Sequence, residues 1–298
     1  MAKYLGIDIG GTKTSLIIGT ETYEILDKVK FKTDSREGFE SFRKRVYEHS
    51  LKIGAGRIER IGVSVGGPMN HETGEIYNPT YLPWGTVNLK KEFGKLFNVP
   101  IEVEHDARAG AYAEYLLGAG RGCDNIIFLT LGTGIGAGII IGGKKYYGFN
   151  GVTGEIGHIR VAEDGPYLYG KKGSIEGLCS GGGISLLAMR MFPQYFEKDI
   201  TCKDIGELSG KGDKKANEVL ERSGFYFGRA LSILFDLFSP DRVILGGLGY
   251  RLPGIWLSEA FKELKNETVQ NDDLEKRVVS SHLKEKIGDY AALVTAIG

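Results

Sequence analysis

Cysteine and net charge are what this chain has least of. Its 298 residues include three cysteines, Cys123, Cys179 and Cys202, far apart and without a CxxC pair. They offer no disulfide framework, and their scarcity fits a reducing, cytoplasmic setting. The 38 basic and 38 acidic side chains cancel, and no run of like charge stands out. The electrostatic footprint of a nucleic-acid, membrane-surface or polyanion partner is therefore missing. Met1 to Leu5 leads straight into a strand-like segment without the apolar run of a secretory signal. Ile126 to Gly143 carries no charge and approaches a membrane span in length. Its glycines at 132, 134, 136 and 138 would weaken a helix, and the stretch reads as a buried hairpin. Two nucleotide signatures are also missing. There is no G-x-x-x-x-G-K-[ST], and the glycines around Gly132 are not spaced G-x-G-x-x-G, which disfavours a P-loop enzyme and a dinucleotide oxidoreductase.

What is present is an apolar fraction of 42%, enough to bury two modest cores. Tyr4–Ile9, Lys13–Ile18 and Ile25–Lys32 are β-branched or apolar runs separated by turn residues, and read as consecutive antiparallel strands. Phe39, Phe42, Val46 and Leu51 fall at helical spacing, and Ile61–Val65 is a strand running into Gly66-Gly67-Pro68. Leu89–Phe97 reads as a helix, Ile101–Glu104 as a strand and Ala107–Leu117 as an alanine-rich helix. Further on, helices are expected at Ile184–Met191, Ala216–Phe238 and Tyr290–Ile297, with a strand at Arg242–Leu245. The alternation predicts an α/β fold.

One hairpin occurs twice. Ile7-Asp8-Ile9-Gly10-Gly11-Thr12 can be laid over Leu129-Thr130-Leu131-Gly132-Thr133-Gly134, and both copies run into apolar strands. Two ordinary hairpins would look alike, since glycine turns are common punctuation. Two related halves would each offer a glycine turn to a ligand held between them. The predicted division puts residues 1–117 and 285–298 in one lobe and 118–284 in the other. A third glycine turn, Gly246-Gly247, follows the strand Arg242–Leu245, where open α/β sheets hold ligands.

The segment Asp8-Ile9-Gly10-Gly11-Thr12-Lys13 sets an acid at a strand end before glycines whose N–H groups can approach phosphate without a Cβ in the way. It resembles the amino-terminal motif of the ROK family, which unites sugar kinases and sugar-responsive repressors. The resemblance runs from Asp8 through Gly247. It takes in Leu131-Gly132-Thr133-Gly134-Ile135-Gly136, Glu104-His105-Asp106-Ala107, Gly154-Glu155-Ile156-Gly157-His158, Ser180-Gly181 and Ile244-Leu245-Gly246-Gly247. It implies a two-lobed actin-like ATPase fold with duplicated ribonuclease H-like domains. It further implies an ATP-dependent hexose kinase that uses Mg²⁺, acts on a small-molecule sugar and forms a homodimer. Asp8 would organise Mg²⁺ through water. Gly10, Gly11, Thr12 and Lys13, with Gly132, Thr133 and Gly134, would hold the ATP phosphates, and Gly247 would border the adenosine.

On position alone Asp106 could be a plain N-cap of the helix from Ala107. The E-H-D-A match favours a general base that accepts the proton of the attacking sugar hydroxyl. Glu155, His158 and Glu176 could present acceptors and a donor to vicinal hydroxyls, or could be solvated loop residues; the resemblance favours sugar contact. Gly67, Asn78 or Thr80 would contribute from the other lobe, although Tyr81-Leu82-Pro83-Trp84 follows the family loosely. Two departures are visible. Tyr167, Tyr169 and Ser174 stand where most members carry the cysteines that bind zinc with the histidine of G-E-x-G-H, so no zinc is expected. His105 replaces an asparagine that contacts a sugar hydroxyl, which leaves the choice of sugar open. A sugar-sensing regulator without its own DNA-binding domain is the alternative function. A cytoskeletal ATPase would not need the sugar cluster, and a polyphosphate donor would need a basic track that the sequence lacks.

Overall fold

The computed structural model describes residues 1–34, 36–79, 82–270 and 272–298. Internal packing divides the chain into two compact units. The first is Met1–Gly118 with Lys145–Thr153 and Glu285–Gly298, and the second is Ala119–Lys144 with Gly154–Lys284.

The first unit is built on strands β1 (Lys3–Ile9), β2 (Lys13–Thr20), β3 (Ile25–Lys32) and β4 (Arg60–Val65). Short strands β5 (Met69–Asn70), β6 (Glu75–Ile76) and β7 (Val87–Asn88) make a sheet of their own, and β8 (Ile101–His105) completes the main sheet in the order β3-β2-β1-β4-β8. β1 pairs antiparallel with β2 and parallel with β4, which pairs parallel with β8. From Thr14 to Thr20 every residue of β2 is buried, as expected of an inner strand covered on both faces. Alternation along β1 separates the two faces. Leu5, Ile7 and Ile9 join Phe42, Val46, Trp84 and Phe93 in one apolar cluster. On the other side Gly6 meets Ala292, and Asp8 meets Gly288, of the C-terminal helix Ile287–Ile297. That helix comes so close that a methyl at Gly62 would stand 2.2 Å from the Ala296 nitrogen.

Helices α1 (Phe39–Lys52), α2 (Leu89–Gly94) and α3 (Asp106–Leu117) complete the first unit. Residues 145–153 are held to it by a buried carboxylate. Glu104 is 2% exposed; it accepts from Arg108 Nε at 2.8 Å and from the Tyr147 hydroxyl at 2.8 Å, with Lys145 Nζ at 3.3 Å. Burial alone would raise the Glu104 carboxyl, but the Arg108 and Lys145 charges and these hydrogen bonds hold it below its usual range.

In the second unit, β9 (Ile126–Leu131), β10 (Ile135–Ile141), β11 (Lys144–Lys145), β14 (Arg242–Leu245) and β15 (Val278–Ser280) form a sheet in the order β11-β10-β9-β14-β15. β12 (Tyr167–Leu168) and β13 (Lys171–Lys172) form a separate hairpin. β9 pairs antiparallel with β10 and parallel with β14, which pairs parallel with β15. This is the strand plan of the first unit again, with β9 and β10 in the places of β1 and β2. The uncharged stretch is thus a buried hairpin, and among the described residues no helix is long and apolar enough to cross a membrane. Helices α4 (Ile175–Cys179), α5 (Gly181–Met191), α6 (Cys202–Gly210), α7 (Lys214–Phe238) and α8 (Gly254–Glu267) enclose a core around Ile184, Leu231, Phe235 and Trp256.

Several boundaries differ from the sequence-based reading. The helix expected from Ala107 starts one residue earlier, at Asp106, because His105 is its cap. The helix expected from Ile184 starts at Gly181: the Ser180 hydroxyl accepts from Gly183 N–H at 2.9 Å, which offsets the poor helix propensity of three glycines. The helix expected to reach Phe97 stops at Gly94. Helices α4, α6 and α8 and strand β15 were not foreseen.

Candidate functional site

In the first unit the site residues gather at the carboxyl ends of parallel strands, the side on which open α/β sheets bind ligands. Asp8, next to last in β1, lies beside Ser64 of β4, and Ser64 in turn lies beside Glu104 of β8, so the register carries the chain from Asp8 across to His105 and Asp106. The turn from β1 to β2 closes with the Gly10 N–H donating to the Lys13 carbonyl at 3.0 Å. Thr12 and Lys13 are exposed at its tip.

Asp8 is half-buried, and its carboxyl is pushed up from 3.8 to about 7, first by desolvation and then by the negative charges of Asp106 and Asp289. Asp289 is paired with Lys28. A methyl on Gly288 would stand 2.3 Å from Asp8 Oδ2, so the C-terminal helix can pass this carboxylate only with glycine there. Crowded negative charge in a half-buried place is suited to a cation. Among the described residues no group of three or more His, Cys, Asp or Glu could hold a metal ion. Asp8 is a single carboxylate, and a single carboxylate would fit Mg²⁺ held mainly by water and a phosphate-bearing ligand.

Asp106 is not the cap of α3. It is the first helical residue, its side chain is 48% exposed, and the Ala107 N–H is shared between His105 Nδ1, the N-cap acceptor, at 3.3 Å and Asp106 Oδ1 at 2.6 Å. Gly66, at the end of β4, makes room for the Asp106 carboxylate: a methyl there would lie 3.1 Å from Oδ2. Gly67 and Asn78 both have positive φ, 111° and 42°, and the Asn78 N–H donates to the Gly85 carbonyl at 3.2 Å. Leu82 and Trp84 are core residues; Thr80 and Tyr81 lie outside the described residues.

In the second unit, the turn from β9 to β10 closes with the Gly132 N–H donating to the Gly134 carbonyl at 3.0 Å. It is braced from behind. Gly181 and Gly182, opening α5, donate to the carbonyls of Gly132 and Thr133 at 2.8 and 3.3 Å. Gly247, with φ 51°, approaches Leu131 so closely that a methyl would meet its carbonyl at 2.0 Å. The carbonyls of the turn thus face protein donors, while Gly132 and Thr133 are exposed.

Glu155 and His158 flank the short helical turn Ile156–His158 and are exposed, with Glu155 Oε2 3.8 Å from His158 Nε2. Glu176 belongs to the same neighbourhood but is 9% exposed. Its Oε2 accepts the Ile135 N–H at 2.8 Å and its Oε1 accepts the Tyr169 hydroxyl. Tyr169 also stacks on His158, ring centroids 3.8 Å apart. The three residues at the places where the resemblance would put zinc-binding cysteines are not thiols. Tyr169 is engaged as described, Tyr167 is exposed, and the Ser174 hydroxyl caps α4 by accepting the Gly177 N–H at 3.1 Å. Gly66, Gly288, Asp289 and Tyr169 were not singled out as site residues from the sequence. Their roles are close approaches and ring contacts between distant segments, which no local pattern records.

The ROK family model matches residues 4–297, and the chain belongs to the ROK family. A glucokinase of Halalkalibacterium halodurans is 30% identical to it over 266 residues, 82% of this chain and 79% of that protein. A ROK family glucokinase from Streptomyces griseus, solved in complex with glucose and AMPPNP, superposes with a TM-score of 0.83 at 29% identity over 99% of each chain. The xylose repressor of Bacillus subtilis is 34% identical over 186 residues, 62% of this chain and 47% of that protein. The fold is the actin-like ATPase fold, with its two ribonuclease H-like sheets.

Proposed function

We propose that this protein transfers the γ-phosphoryl group of ATP to a hydroxyl of a hexose, with Asp106 as general base. The chain is a sugar kinase, a phosphotransferase with an alcohol acceptor, as its kinase relatives support. The observation that carries the finer reading is the position of Asp106. It is half exposed at a strand's carboxyl end, His105 holds the N-cap position, and Gly66 gives its carboxylate space. Its Oδ1 accepts the Ala107 N–H at 2.6 Å, and Oδ2, on the Gly66 side, is the oxygen proposed to take the proton.

In the proposed step the sugar oxygen attacks the γ-phosphorus, the bond from phosphorus to the ADP oxygen breaks, and the hydroxyl proton passes to the Asp106 carboxylate. The turns Gly10–Lys13 and Gly132–Gly134 hold the phosphates through backbone N–H groups, and Gly247 borders the adenosine. Glu155, His158 and Glu176 read the sugar hydroxyls, with His105, Asn78 and Gly67. When bound, Mg²⁺ offsets charge on the phosphate oxygens, and Asp8 holds its waters. A homodimer that binds no nucleic acid completes the proposal.

A coupled ADP-release assay with Mg-ATP across glucose, mannose, fructose, allose, N-acetylglucosamine and N-acetylmannosamine tests this. Turnover of at least one hexose is expected. Sugar binding without turnover of any would instead support the sugar-sensing reading, for which the resemblance to a repressor speaks.

A further inference from the structure

The hairpin of β12 and β13 turns through Tyr169 and Gly170, with φ 53° and 73°. Two successive residues in the left-handed region make the tight turn that matches the twist of paired strands. Asparagine or aspartate followed by glycine is the easy solution, and a tyrosine at the first position is strained. Strain of this kind persists where the surroundings hold it, and it concentrates at functional sites.

What the strained residue reaches is specific. Its ring lies face to face with His158, centroids 3.8 Å apart and planes 23° from parallel, and its hydroxyl donates to Glu176. The other oxygen of Glu176 takes the N–H of Ile135, the first residue after the second phosphate turn. Glu176 is also packed so tightly that a methyl on Gly157 would stand 3.2 Å from its Oε2. One side chain thus touches both a sugar-segment imidazole and the carboxylate that braces the phosphate turn. His158, at 45% side-chain exposure, is otherwise loosely held, with Glu155 at 3.8 Å.

We propose that Tyr169 is a positioning residue of the sugar site, fixing the His158 ring by stacking and the Glu176 carboxylate by its hydroxyl. In this chain an aromatic contact does what a metal–imidazole bond would do in a zinc-bearing relative: it orients the imidazole toward a ligand. The stack restrains the tilt of the ring but not its rotation in plane, so the site is set less rigidly than by a metal and tolerates chelators. This inference rests on the sugar-kinase reading.

The test pairs Tyr169→Phe, which keeps the stack and removes the hydroxyl, with Tyr169→Ala, which removes both. The readouts are the His158 ring-proton resonances, assigned through His158→Gln, and the sugar KM and kcat. A ring stacked at this distance displaces those resonances upfield. Tyr169→Ala is expected to return them to the values of a free imidazole and to raise the sugar KM about tenfold, with kcat changed less. Tyr169→Phe is expected to keep the displaced resonances and most of the sugar affinity, so it also serves if the alanine variant folds poorly. Tyr167→Ala, an exposed neighbour on β12, should behave as wild type. Wild-type His158 resonances and sugar KM in both Tyr169 variants would overturn the proposal. The resonance measurement needs no turnover. A protein that phosphorylates no hexose would therefore sink the kinase reading while the spectra still decide whether Tyr169 positions His158.

Discussion

The two glycine turns are built to one plan and held by opposite means. In the first, the next-to-last strand residue is Asp8, a half-buried acid whose neighbours Asp106 and Asp289 add negative charge. In the second, the residue at the matching place is Thr130, whose hydroxyl accepts the Gly136 N–H at 3.1 Å and is content within the hairpin. The first turn is followed by Lys13, exposed, and the second by Ile135, buried and tied to Glu176. A repeated backbone has thus been divided between tasks. One copy carries a cluster of acidic side chains, and the other is braced by protein donors and one carboxylate. The lesson is that duplication conserves backbone geometry, while the chemistry lies in the few side chains by which the copies differ.

Breaking the charged copy should have the largest effect. Asp8→Asn is expected to lower kcat by at least about a hundredfold, the scale on which a preorganised electrostatic group acts, and to weaken the response to Mg²⁺ in a metal titration. A nearly wild-type kcat would make the acid dispensable and the two turns equivalent.

Making the copies alike comes next. Thr130→Asp would put a second acid under the neutral turn, where it would repel the phosphates, and the KM for ATP should rise about tenfold or more. An unchanged KM would mean that the second turn does not meet the nucleotide.

The brace can be removed separately. Glu176→Ala leaves the Ile135 N–H without its acceptor, and the lost stability should be about 1–3 kcal/mol, measured by denaturant unfolding. No loss would show that the turn holds its shape without the carboxylate.

The charge difference also has a pH signature. Asp8 has its folded-state pKa raised to about 7 from 3.8, so the folded chain binds a proton that the unfolded chain has already released between these values. Its contribution to stability is complete below about pH 4 and is lost as pH rises through 7. In the absence of ligands, the melting temperature of Asp8→Asn relative to wild type should therefore climb from pH 5 to pH 8. A flat difference would place Asp8 in ordinary solvent. Thr130→Val should show no such pH dependence and a cost of only about 1 kcal/mol.

Much of the frame was legible in the sequence. Strands of alternating or continuous apolar residues, the duplicated glycine hairpin and the alanine-rich helix after His105 are local patterns, and the structure forms each of them. The start of α3 was displaced by one residue because a histidine acting as an N-cap is not a strong signal; aspartate is the commoner choice, and it stood next in line. The unforeseen helices α4, α6 and α8 are short, glycine-bearing or set in polar surroundings, and packing rather than propensity decides them. At the site, Asp8 and Asp106 announced themselves by position after strands. Glu176 was legible as a polar residue near the sugar segment, but not as the acceptor of the Ile135 N–H, because that bond joins segments 41 residues apart. Gly66 reads as an ordinary turn glycine, and Gly288 as a residue outside the helix expected from Tyr290, until the carboxylates beside them are seen.

The central claim is that Asp106 removes the proton of the sugar hydroxyl, and it is tested most directly by kcat for Asp106→Asn with the best hexose and saturating Mg-ATP. The change is nearly isosteric, and His105 keeps the helix capped, so the melting temperature should hold within about 2 °C. The account predicts a kcat lower by at least about a hundredfold with a smaller change in sugar KM. Near wild-type kcat in a fully folded variant would contradict it.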